Sequence, residues 1–543
     1  MRFRARVITL IILFILCSNI LFAQWPTSPD SAILIGSGRN KQVVEDGQGG
    51  AYIVHGDYNG LCTRINHDGV KVWEDVSLDG VYDEQPHQSA ALASDSSLIV
   101  SYRDIKYIGG WDWGDAHIRV QKISPDGEKL WGEGVVVTPD NASGTDDYFP
   151  YINSYVVSDD LGGAYVAWKD YRNDPWGEWS DLFIQKINSE GEIVWDSLGV
   201  LVDTVIRDLS YITFSSSSGV LLVYTRAINN WIQIHAQIVE PDKSFTFLER
   251  YNFNMQPLGG FKQDSEEHIF YHDYYTSVYK VDLDFQHIWP TEGIKISDTV
   301  YSILNLIPDE SGGAIVQFRK DESSGRFFSQ WVDNSGQLQY DSTALFVTKA
   351  KVKHPSVSLS GSESFISTYQ GDNSHIAQRI DRNGDLFWPD NTKIYGYNNY
   401  TSLWGKSVSD GADGIIYVFD INSSSYVTQL GPNGLVGSLT GIDDRKPNSP
   451  LPDALRLVSL YPNPFNSSLA IQCQINTYDK IYADIYDLNG RYIQSTSQSG
   501  KPGVNRLLIN FSTAEISSGI YLINVWTQSN PELKQVVKAT YLK

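Results

Sequence analysis

A ten-residue pattern recurs along most of the chain with its internal spacing kept. It reads RINHDGVKVW from Arg64, KISPDGEKLW from Lys122, KINSEGEIVW from Lys186, KVDLDFQHIW from Lys280, WVDNSGQLQY from Trp331 and RIDRNGDLFW from Arg379. Weaker copies are QIVEPDKSFT from Gln237 and QLGPNGLVGS from Gln429. Each copy has an aliphatic anchor: Ile65, Ile123, Ile187, Ile238, Val281, Val332, Ile380 and Leu430. Four residues on lies Gly69, Gly127, Gly191, Gly336, Gly384 or Gly434. Eight residues on lies Trp73, Trp131, Trp195, Trp289 or Trp388, with Tyr340 once in that place. Each glycine follows Asp, Asn, Glu or Ser. That is the chemistry of a tight turn between two strands, since glycine takes positive φ at no steric cost. Each copy therefore predicts a β-hairpin with the Trp in its second strand.

A second element precedes each hairpin. It reads EDGQGGAYIVH from Glu45, SDDLGGAYVAW from Ser158, DESGGAIVQF from Asp309 and DGADGIIYVF from Asp410, with looser forms between. Each is a polar Gly-rich turn followed by an apolar strand. One unit is thus four strands, and the anchors lie 43 to 64 residues apart. Four short strands repeated at such a period predict an all-β propeller. Eight copies predict eight blades, or seven if the weak fourth copy is a divergent loop. The last copy lacks its Trp. Trp25 and the run Ala32-Ile33-Leu34-Ile35 are placed to complete that blade and cover its open edge. No run of 3.6 period argues for long helices.

The ends read differently. Arg2, Arg4 and Arg6 precede an apolar run from Val7 to Phe22, which marks residues 1–23 as a secretory leader cut after Ala23. No other stretch approaches the apolar length of a membrane span. The formal net charge is −22, which excludes the basic footprint of a nucleic-acid-binding protein. Cys62 and Cys473 lie far apart beyond the leader and read as two lone buried thiols. The propeller is expected over 24–442. Residues 443–454, opening DDRKPNSPLPD, form a Pro-rich charged linker.

From 455 to 543 the chain has eight basic and five acidic residues, so the acidity belongs to the propeller region. Short alternating runs such as Ile481–Asp487 and Gly519–Trp526 predict a small antiparallel sandwich. LYPNPFN from Leu460, IYDLNGR from Ile485, SGIYLINV from Ser518 and the terminal KQVVKATYLK follow one another here. In that order they resemble the C-terminal sorting domain, type A, of the type IX secretion system. The resemblance implies an immunoglobulin-like β-sandwich and a partner in the outer-membrane secretion machinery. It implies a route through Sec and the periplasm to the cell surface or medium, and a domain commonly removed from its cargo. Tyr461, Pro462, Asn463, Pro464, Phe465 and Asn466 are the motif. Pro462 and Pro464 keep this stretch out of a regular ladder.

Signatures of chemistry are sparse. No H-E-x-x-H, G-x-S-x-G or P-loop occurs, and His235, His268 and His272 stand in ordinary strand or turn contexts. No catalytic residue, metal or cofactor is assigned. Aspartates of the Gly turns lack EF-hand spacing and read as turn formers. One feature stands out. The connection between second and third strands is long and aromatic in two adjacent units, RDIKYIGGWDWGDAHI from Arg103 and KDYRNDPWGEWSDLFI from Lys169. Trp111, Asp112, Trp113 and Asp115, then Trp176, Glu178, Trp179 and Asp181, would edge one rim. Tryptophan faces beside carboxylates suit sugars, because the ring covers C–H surfaces and the carboxylate accepts hydroxyl bonds. The sequence thus points to a secreted, non-enzymatic propeller binding carbohydrate or a surface protein. The alternative is a secreted hydrolase or lyase acting on polysaccharide with acidic residues at the channel mouth.

Overall fold

The computed structural model describes residues 25–437 and 456–543, except 57–59, 79–88, 110–111, 139–153, 174–179, 216–218, 229–230, 254–258, 274–275, 322–325, 342, 348–352, 372–373, 389–391, 397–401, 462–467, 476–478, 488–490, 502 and 512–515. The described residues form strands and turns without an α-helix. The chain divides into two compact units, at Gly441 and Ile442.

The first unit is an eight-bladed β-propeller among the described residues. Blade 1 is Asn40–Glu45, Ala51–His55, Gly60–Ile65 and Lys71–Leu78. Blade 2 is Ser89–Leu92, Leu98–Gly109, Asp112–Ile123 and Val135–Val136. Blade 3 opens with Ser154–Ser158, Ala164–Asp170 and Ser180–Ile187. Its outer strand is the first part of Val200–Ser215, whose second part is the inner strand of blade 4. Blade 4 continues with Gly219–Ile228, Trp231–Val239 and Phe245–Phe253, so blades 3 and 4 share one seven-stranded sheet. Blade 5 is Gly259–Gln263, Ile269–His272, Ser277–Val281 and Ile294–Lys295. Blade 6 is Ser302–Pro308, Ala314–Arg319, Phe327–Val332 and Leu345–Phe346. Blade 7 is Lys353–Leu359, Ser364–Gln370, Ser374–Asp381 and Thr392–Gly396. Blade 8 takes Ser402–Ser409, Ile415–Ile421 and Ser424–Leu430 from the end of the ring, and Ile33–Ser37 from its beginning.

That last pairing closes the ring. Ile33 lies opposite Val427 and Leu34 opposite Tyr426. Eight buried clusters each join one blade to the next. The last of them holds Ile416 and Val418 of blade 8 against Ala51, Ile53 and Ile65 of blade 1, with Trp25 and Ile35 between.

The repeated Gly and Trp are one device, shared between neighbouring blades. Trp73 Nε1 donates to Pro125 O of the next blade's turn at 3.0 Å. Trp131 does the same to Ser189 O at 3.0 Å, Trp289 to Asn334 O at 3.0 Å and Trp388 to Pro432 O at 3.2 Å. Tyr340 Oη donates to Asp381 O at 2.7 Å. Trp25 supplies the ring that blade 8 lacks, donating to His67 O of blade 1 at 2.7 Å. The turn glycine must then pass under an indole. A Cβ on Gly127 would stand 2.8 Å from Trp73 Cγ, and one on Gly191 2.6 Å from Trp131 Cδ1. Both also have φ near +85°, at +89° and +83°.

Two details depart from the sequence reading. The repeat Trp sits in an extended strand only at Trp73. At Trp131, Trp195, Trp289 and Trp388 the chain makes a single bridge and then turns. A buried glutamine explains this in blades 2, 3, 6 and 7. Gln121 Oε1 accepts from Trp131 N at 3.1 Å, and its Nε2 donates to Gly132 O at 2.8 Å. Gln185, Gln330 and Gln378 repeat the arrangement with Trp195, Tyr340 and Trp388. A side chain thus takes the place of the strand ladder. The fourth copy is a true blade, but its anchor is Val239. Val239 lies opposite Val220, and Lys243, with φ +71°, takes the left-handed place in its turn.

The inner turns account for the repeated aspartates. Asp46, Asp159, Asp309 and Asp410 each accept, through Oδ1, from backbone N–H groups two and four residues on, at 2.7 to 2.9 Å. These are Asx turns.

The second unit is a two-sheet sandwich. Arg456–Tyr461, Ser468–Ile475 and Gly503–Asn510 form one sheet. Asp479–Asp487, Tyr492–Gly500, Gly519–Thr527 and Asn530–Tyr541 form the other. Alternate residues face inward, as period-two strands require: Leu469, Ile471 and Cys473 meet Ile481, Ala483, Ile485, Ile523 and Val525 in one core. Cys62 and Cys473 are buried free thiols, one in each unit.

Candidate functional site on the loop face of the propeller

The antiparallel order of every blade puts its two hairpin turns on one face. The connections from second to third strand leave on the other. The turn face is built of tight, mutually bonded turns. The loop face is where side chains of varied chemistry gather.

Several second strands end there in a buried polar group, His55, Asp170, His272 and Gln370, with Asp420 one residue before its strand's end and Arg103 buried partway along the longer strand of blade 2. Such groups need partners within the protein. His55 Nε2 meets Thr63 Oγ1 at 3.0 Å and Asp75 Oδ1 at 3.5 Å. Tyr417 Oη and His375 Nδ1 lie 2.8 Å apart. Ser425 Oγ donates to Asp420 Oδ1 at 2.8 Å. Burial holds the His55, His272 and His375 imidazoles below the ordinary histidine value, His375 down to about 3. They are therefore neutral at pH 7.

In blade 2 the aromatic stretch is a protruding hairpin. The second and third strands run on until Gly109 lies opposite Asp112 and Tyr107 opposite Trp113. Asp112, Trp113 and Asp115 are on its returning strand. Trp111 lies outside the described residues, and so do Trp176, Glu178 and Trp179 of blade 3. The ends of the blade 3 connection are firmly held. Asp170 pairs with Arg172 and accepts from Trp168 Nε1 at 2.9 Å. Arg172 reaches Leu198 O at 3.1 Å and stacks over Phe183 at 4.1 Å. Asp181 is buried, accepting from Asn173 Nδ2 at 2.7 Å and from Val205 N at 3.2 Å. Its carboxylate thus fastens the base of the loop.

Asp181 also leads to a cluster that the sequence reading did not single out. Asp203 accepts from Tyr224 Oη at 2.9 Å and from Thr204 N at 2.8 Å. It stands 3.2 Å from Arg226 Nη1 and 3.5 Å from His235 Nδ1. The apolar run ending in polar residues, VLLVYTR, carried a signal for Tyr224 and Arg226. Sequence alone gives no reason to join Asp203 to them. Among the described residues no group of three His, Cys, Asp or Glu side chains is placed to hold a metal ion.

Comparison with known proteins bears on the second unit. Residues 459–539 match the family model described as a secretion system C-terminal sorting domain. The chain carries a type IX secretion sorting domain. Of the motif of that domain, Tyr461 ends the first strand opposite Ala470, and Pro462, Asn463, Pro464, Phe465 and Asn466 lie outside the described residues. The sorting domain implies export to the cell surface or the extracellular space and contact with the secretion machinery. No helix among the described residues is long and apolar enough to cross a membrane.

No curated relative matches the chain. Similar solved structures include prolyl oligopeptidase B from Galerina marginata, at 10% identity and TM-score 0.40 over 72% of this chain and 56% of that one. The present chain thus spans little more than half of that enzyme. PorZ, a bacterial surface component of the type IX secretion system of Porphyromonas gingivalis, is 11% identical, with TM-score 0.23 over 91% of this chain and 74% of that one. The Dos1 propeller is 11% identical, with TM-score 0.41 over 74% and 95%.

Proposed function

We infer that this is a secreted, non-enzymatic propeller that binds carbohydrate on its loop face. The observation carrying the reading is the difference between the two faces. One is sealed by bonded turns. The other collects a buried polar layer, a protruding hairpin with Trp113, and a Trp-bearing connection anchored at both ends. Anchored loops on a rigid scaffold are where binding residues concentrate. Trp111, Asp112, Trp113, Asp115, Trp176, Glu178 and Trp179 are the contact residues of this reading, and Asp181 positions their loop. Residues 1–23 serve as the leader for Sec export, 24–442 as the binding propeller, 443–454 as linker and 455–543 as the immunoglobulin-like sorting sandwich.

The test uses the chain from Gln24 to Lys543 and variants with Trp113→Ala and Trp176→Ala. Each is run through native gels containing neutral polysaccharides, and reducing ends are followed in parallel. Retardation of the parent, lost in the variants without new reducing ends, supports the reading. New reducing ends establish the hydrolase alternative. Absence of retardation on every neutral polysaccharide overturns it.

A further inference from the structure

The cluster around Asp203 has three features beyond what holding the blades together requires. The first is access. Asp203 and Arg226 keep 18% and 22% of their side chains open to solvent, while His235 behind them is 1% exposed. The second is orientation. The Tyr224 hydroxyl lies 2.9 Å from both Asp203 Oδ2 and Gln237 Oε1, and the backbone N–H of Thr204 donates to Asp203 Oδ1. Asp203 is thereby held in place from two sides, and Arg226 stands beside it with a fork of donors.

The third is strain. Val205, between Asp203 and the blade 4 strand, has φ +58°. A β-branched residue in the left-handed region is an outlier that persists only where the surrounding structure holds it. It occurs where Asp181 Oδ1 grips Val205 N, at the bend of the strand that passes from blade 3 to blade 4. Cross-strand pairing sets Ser180, Ile206, Arg226 and Gln233 in one transverse row. Ser180 ends the aromatic connection of blade 3, so Arg226 lies two strands away, about 10 Å.

We propose that Asp203 and Arg226 form a subsite for a neutral sugar bearing a free vicinal diol. One hydroxyl donates to the Asp203 carboxylate while its neighbour accepts from the Arg226 guanidinium. An acidic sugar is disfavoured because the whole chain carries a net charge of −22, with the acidity in the propeller region. The proposal rests on the carbohydrate-binding reading and names the sugar that reading takes.

The experiment uses the chain 24–543 with two neutral probes and one anionic probe. Glucomannan, β-1,4-linked, leaves the 2,3-diol free. Laminarin, β-1,3-linked, has no vicinal diol within its chain. Polygalacturonate is the anionic probe. The expected result is retardation by glucomannan well above that by laminarin or polygalacturonate. Asp203→Asn and Arg226→Gln each weaken the glucomannan effect about 10-fold or more. Arg226→Lys, which keeps the charge and loses the fork, weakens it as well. Thermal melts accompany each variant, and only variants melting with the parent are scored. Should Trp113→Ala abolish binding while the folded Arg226 variants bind as the parent does, the subsite is refuted and the loop-face reading stands. Equal retardation by laminarin, or preference for polygalacturonate, also overturns the subsite. Absence of binding to every neutral probe overturns both.

Discussion

At the level of single residues, the Trp–Gly contact does for this ring what backbone bonds do within a sheet. A methyl group on Gly191 meets Trp131 at 2.6 Å, on backbone that L-residues avoid. Gly191→Ala is expected to cost about 1–3 kcal/mol, read as a lower urea midpoint with unchanged slope. The buried glutamines give a second expectation. Gln330→Leu leaves the Tyr340 N–H and nearby carbonyls without a partner, at about 1–3 kcal/mol. Protonation gives a third. His375, His55 and His272 are neutral in the fold, with values lowered by burial. The unfolded chain takes up their protons first. Stability therefore rises with pH from about 3, the folded value of His375, to its ordinary 6.5, and that contribution levels off above. Melting temperature against pH checks the sign, and His375→Phe flattens the slope. The anchor, Gly and Trp positions were legible because each is a fixed offset in the sequence. The glutamines lie two residues before the anchor and keep the same offset in four blades, yet glutamine in a strand reads as surface. Their burial follows from a turn geometry that periodicity does not reveal.

At the level of elements, the hairpins were legible and their edges were not. Alternation and turn residues announce a strand wherever one face is buried. The outer strands of blades 5 and 6 are two residues long, too short to alternate. The aromatic stretch of blade 2 read as a loop, but its two arms continue the ladder to Gly109 and Asp112. The Asp203 cluster stayed hidden because it draws on four separate strand positions, brought together only by the sheet shared between blades 3 and 4. Closure of blade 8 by Ile33–Ser37 was readable, since the last copy lacks its Trp and the amino end has one to give. Trp25→Ala removes a buried indole and the bond to His67, and is expected to cost about 3 kcal/mol or more. Removing 24–37 also bares the edge of Ser424–Leu430. That variant is expected to associate at concentrations where the parent stays monomeric, as sedimentation would report.

At the level of the whole molecule, the two units have separate cores. Ending the chain at Gly441 is expected to leave the melting of the propeller as it is in the full chain. In a host with type IX export, the same truncation is expected to leave the protein inside the outer membrane, which cell fractionation would detect. Ring closure has a further consequence for a chain that leaves the ribosome amino end first. The first strand to be synthesised is the last to find its place, because its partner Val427 arrives only after seven blades have been made. Throughout that interval the strand and Trp25 have the blade 1 side of their cover but lack Ile416, Val418 and Val427 of blade 8. Such a segment is an invitation to pair with the wrong chain. The edge of Ile33–Ser37 therefore stays open to wrong pairing until the eighth blade is complete.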